Sequence, residues 1–103
     1  MTDLSEKTRE IIRRMFPVWR RNKVAKLLVT ECGDNLPFQS GKDETELERF
    51  RFAVLKLSGG NMNRLRAAIA LAQEDWRDLL IEAGFAESFD GHARWAKEYL
   101  GGR

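Results

Sequence analysis

Apolar residues in this chain recur three and four positions apart, and nowhere do they alternate with polar ones over a strand's length. The first spacing lays side chains along one face of a helix, and the second is what a half-buried sheet would need. The reading is therefore all-α: a compact bundle of five to six short helices with no sheet. Breakers divide the pattern at Pro17, Gly33, Gly59-Gly60, Gly84 and Gly101-Gly102.

Asp3 and Glu6 read as a capping pair for a first helix carrying Leu4, Ile11, Ile12 and Met15. Pro17 ends that helix, because it lacks an N–H and pushes Phe16 out of helical geometry. A second helix is predicted from Val18 to Glu31, with Val24, Leu27, Leu28 and Cys32 inward and Arg20, Lys23 and, at the margin, Arg21 on its polar face. Residues 33–44, GDNLPFQSGKDE, read as the longest irregular stretch, with Leu36 and Phe38 set to plug the core or a groove. A third helix, Thr45 to Leu57 with Asp43 or Thr45 as cap, has an apolar stripe widened by Phe52 and Leu55, which makes it central. Asn61 then caps a fourth helix over Met62–Glu74, Asp75 and Asp78 cap a short fifth that Gly84 closes, and Ser88 or Asp90 caps a sixth.

With 103 residues, 43% of them hydrophobic, the chain fits one domain spanning 1–103. Within it, a basic helical segment (1–31) and the loop (33–44) precede a helical core (45–100). There is no apolar run long enough to cross a membrane and no signal-peptide order at the N-terminus. The single cysteine, Cys32, cannot form an intramolecular disulfide. These features predict a cytoplasmic protein. The net charge of +2 hides an asymmetry. Eight basic residues against three acids crowd into positions 1–26, and acids outnumber bases in the remainder. Such a split can mark an anionic partner.

Residues 55–65, LKLSGGNMNRL, invite three interpretations. LSGGN resembles the LSGGQ signature loop of ABC transporter ATPases, which presents backbone N–H groups to phosphate. The chain has no G-x-x-x-x-G-K-[ST] loop to accompany it. A helix-turn-helix would need a polar recognition face, and the fourth helix offers only Asn63, Arg66, Ala70 and Gln73. The remaining interpretation is a corner between two packed helices, with a glycine in the left-handed conformation, and it fits best.

Catalytic chemistry finds little footing. The one histidine, His92, shares a face with Trp95, Ala96 and Tyr99, where a half-buried, hydrogen-bonded role is commoner than general-base work. Cys32 lies beside Glu31 and Asp34, which would raise its pKa rather than activate it. One Cys and one His cannot build an ordinary zinc site. Asp75 and Asp78 serve more simply as helix caps than as paired catalytic carboxylates. No catalytic residue, cofactor or metal site is assigned.

Binding is better supported. Arg13, Arg14, Arg20, Arg21, Lys23 and Lys26 can reach phosphates, and Trp19 can stack on a base. The alternative is a solvated surface paired with acids, and a pI near 8.9 is only mildly basic. Trp19, Leu36 and Phe38 are the candidates for an exposed partner surface.

The segments AVLKLSGG (53–60), L…AIALA (65–72) and DWRDLL (75–80) resemble a pattern in short uncharacterised bacterial proteins, a domain of unknown function. The resemblance implies a bacterial, cytoplasmic, compact helical protein and carries no functional residues with it. The expected function is a non-enzymatic protein–protein interaction module, self-association included. The alternative is a nucleic-acid-binding accessory or regulatory protein using the basic N-terminal helices. Neither a membrane nor a metal is expected among its partners.

Overall fold

A computed structural model describes residues 4–32, 44–88 and 90–101. They form six α-helices: α1 (Glu6–Met15), α2 (Val18–Glu31), α3 (Glu44–Ser58), α4 (Met62–Glu74), α5 (Trp76–Ala83) and α6 (Gly91–Gly101). No strand occurs among the described residues, and the Cα radius of gyration is 12.3 Å. The all-α bundle read from the period is the observed fold.

The breakers act as their chemistry requires. Phe16 is extended (φ −122°, ψ 147°), as a residue before proline must be, and Pro17 precedes α2. The side chain of Asn61 accepts from Arg64 N–H and starts α4. Asp75 accepts from Arg77 and Asp78 N–H and starts α5, and Gly84 closes α5 at φ 80°. Two details differ from expectation. Ser5, not an Asp3–Glu6 pair, caps α1: its hydroxyl accepts from Thr8 N–H and bonds the Thr8 hydroxyl. Asp3 lies outside the described residues. α3 begins at Glu44, so Thr45 is inside the helix, and Asp43 lies outside the described residues.

α3 is the hub, packed against α1, α4, α5 and α6. Its Phe50, Phe52, Ala53, Val54 and Leu55 are fully buried, which explains its broad apolar stripe. Phe50 meets Trp76 edge-on at 5.8 Å. Phe52 and Phe85 flank the rings of His92 and Trp95. α2 sits at the margin, with α1 as its main helical neighbour.

Several polar side chains close helix C-termini, where backbone carbonyls lack helical partners and the dipole favours positive charge. Arg21 donates to the carbonyls of Phe16 (3.0 Å) and Arg13 (2.8 Å) at the end of α1. Arg51 donates to Cys32 O (3.1 Å) and Gln73 to Glu31 O (2.8 Å), both at the end of α2. Lys56 donates to Ala83 O (2.7 Å) and Arg49 to Phe85 O (2.7 Å), just beyond α5.

The Gly-Gly turn is a corner. Gly59 (φ 55°) and Gly60 (φ 87°) are both left-handed. Gly59 N–H donates to Leu55 O, Gly60 N–H to the Ser58 hydroxyl, and Asn61 N–H to Ser58 O. With Arg64 N–H bound to Asn61, these four donors are consumed within the turn and are not available to a phosphate.

Candidate functional site

The basic residues of the first two helices do not act together; the fold sorts them. Arg13 and Arg14 both pair with Glu10 on the surface of α1. The Arg13 hydrogen bond, followed by its charge, holds the Glu10 carboxyl below the ordinary range. Arg21, expected at the margin of the polar face, is turned inward onto the end of α1. Arg20, Lys23 and Lys26 are exposed, and among the described residues none of them makes an ion pair or side-chain hydrogen bond.

Lys23 and Lys26 lie on the same side of α2 as Trp19. Val24 and Leu28 are fully buried and fix the inner face of the helix. At 100° per residue, Trp19, Asn22, Lys23, Lys26 and Thr30 then fall together on the outer face, while exposed Arg20 lies on the adjoining flank, toward Val24. Trp19 is 78% exposed and its neighbour Val18 is 71% exposed. Farther along, Asn22, Lys23, Lys26, Leu27, Thr30 and Glu31 border an open hollow of about 480 Å³. No Asp or Glu occurs between Glu10 and Glu31, so α2 itself brings no acid to this face before Glu31 at its end. Val18 and Asn22 were missed in the sequence reading. Their signal was adjacency to Trp19 and the i+3 position on its face. Leu36 and Phe38, the other candidates for this surface, lie outside the described residues.

The catalytic candidates are placed in structural roles. His92 is 3% exposed, with its ring 5.7 Å from that of Phe52 and 6.3 Å from that of Phe85, so it faces no cleft. Cys32 is fully buried, and burial pushes its thiol up to about 12 against a smaller opposing pull from Arg51. The cause is desolvation rather than the adjacent carboxylates. Asp75 is a cap. No group of three potential metal-ligating side chains occurs among the described residues. The helix-turn-helix option also weakens, since Gln73 of its would-be recognition face is bonded to Glu31 of α2. Among the described residues no helix is long and apolar enough to cross a membrane.

No protein-family model, curated protein or solved structure matches this chain.

Proposed function

We propose that this protein is a non-enzymatic interaction module that engages a macromolecular partner through the outer face of α2, with Trp19 as the anchor. One observation carries the reading: an indole 78% exposed beside a valine 71% exposed, while the large side chains of α3 are buried. An indole left in water contributes nothing to folding. Covered by a partner, it supplies at least about 2 kcal/mol of binding, and Trp is the residue most often found in that role. The surrounding cations give the face its partner preference. Exposed Arg20, Lys23 and Lys26 beside Trp19 favour a partner that carries negative charge. A bacterial, cytoplasmic setting belongs to the same reading and rests on the sequence pattern.

Trp19→Ser tests it. The variant should unfold at the wild-type temperature, because the indole supports nothing in the fold, and should lose partner capture in a side-by-side affinity purification. A variant that retains every wild-type partner, with sedimentation velocity unchanged as well, would remove Trp19 as the anchor.

A further inference from the structure

We infer that the partner of the α2 face is single-stranded nucleic acid, with a base stacked on Trp19 and the backbone held by Arg20, Lys23 and Lys26. The inference rests on reading α2 as the binding face and names what that face takes. Three features select this class. The first is the arrangement of charge. Lys23 and Lys26 follow Trp19 at i+4 and i+7, so the three span about 10 Å of helix axis at 1.5 Å per residue, and Arg20 adds a charge on the flank beside Lys23. A row of cations beside an aromatic platform is how sequence-tolerant single-strand binders work, since every base has a π-face and every nucleotide a charge. No acid on α2 interrupts the row until Glu31, whose carboxylate is hydrogen-bonded by Gln73.

The second feature is what the face lacks. A protein–protein interface of standard size covers about 800 Å² per partner, around a core depleted in lysine. Here the apolar centre is two side chains, Val18 and Trp19, edged by cations that include two lysines. An anionic membrane would need a continuous apolar face to insert, and α2 exposes its apolar pair only at its first turn. The third feature is the indole itself. In a duplex the bases are already stacked on one another, and only a single strand presents a free face to Trp19.

The full chain is titrated into a fluorescently labelled 12-nucleotide oligothymidylate and the matching oligouridylate, with anisotropy read from 50 to 200 mM salt. Parallel arms use a duplex of two fully complementary strands, a polyglutamate peptide and vesicles containing anionic lipid. Both single strands should bind, with little sequence preference. The log–log salt slope should be about −2, the value for three phosphates at 0.7 each. Trp19→Ala should weaken binding about tenfold or more. Lys23→Gln and Lys26→Gln should each flatten the slope by about 0.7, whereas Arg66→Gln, the same charge change on exposed α4, should not. Single strands that fail to bind overturn the inference, as does binding that Trp19→Ala leaves unchanged. Trp19-dependent binding of the duplex, the peptide or the vesicles in their place overturns it too, yet leaves α2 standing as the binding face. If no probe binds, the nucleic-acid assignment falls, and the capture comparison with Trp19→Ser decides the face separately.

Discussion

Gly59 and Gly60 carry the same absent side chain and meet different constraints. Both are left-handed, which an L-residue adopts at a cost of about 1–2 kcal/mol. A Cβ on Gly59 would touch nothing, whereas one on Gly60 would meet the Met15 carbonyl oxygen at 2.8 Å. Gly59→Ala should therefore cost only that conformational penalty. Gly60→Ala should cost about 3 kcal/mol or more, because α1 and the corner must also move apart. Urea midpoints for the two variants check this, and equal losses would refute the close approach. Cys32 makes a second residue-scale prediction. Its buried thiol titrates near 12 instead of 9.0, so the folded state gains stability from it that is fully present below pH 9. That stability should drain away between about pH 9 and 12, as the unfolded chain alone forms thiolate. Denaturation curves for wild type and Cys32→Ala should differ in slope with pH over that window and run parallel below it. The glycine turn was legible in the sequence, but which glycine is irreplaceable was not. Met15 is remote in the chain, and no local signal announces the contact.

At the scale of elements, breakers and caps were the most readable features: α2 and α4 have the predicted bounds, and Pro17, Asn61, Asp75 and Gly84 act as their chemistry requires. What stayed hidden was the use of cations as closures between elements. Arg49, Arg51 and Lys56 look like ordinary polar positions on α3, yet each reaches a carbonyl of another segment. Arg21 looks like a member of the basic face and instead joins α1 to α2. Charge alone cannot tell these roles apart, because the deciding partner is a backbone oxygen made available only by the fold. Arg20 and Arg21, adjacent in sequence, should therefore dissociate in experiment. Arg21→Gln should lower stability by about 1–2 kcal/mol through two lost carbonyl contacts and leave partner binding intact. Arg20→Gln should do the reverse. Thermal melts paired with oligonucleotide titrations of the same two proteins provide the check. Both effects falling on one variant would contradict the sorting.

At the scale of the whole molecule, the candidate site sits on a helix that, among the described residues, has α1 as its main helical neighbour. α3 shares its packing with four helices, while α2 leans mainly on α1 and is held by Val24, Leu28 and the closures at its two ends. Opening α2 forfeits those contacts and leaves the α3–α4–α5 packing intact, so it should cost less than global unfolding. Native-state hydrogen exchange should then show the amides of Val24–Leu28 exchanging through a sub-global opening, below the free energy that protects Phe52–Leu55. Binding supplies a second reading of the same amides. A ligand that requires helical α2 to line up Trp19, Lys23 and Lys26 stabilises the closed form by its own binding free energy. A saturating single strand should therefore slow exchange in α2 selectively, until its opening approaches the global limit, and change α3 only as far as overall stability rises. If α2 were already as protected as α3 without ligand, the two would unfold together, and the binding face would belong to the rigid core.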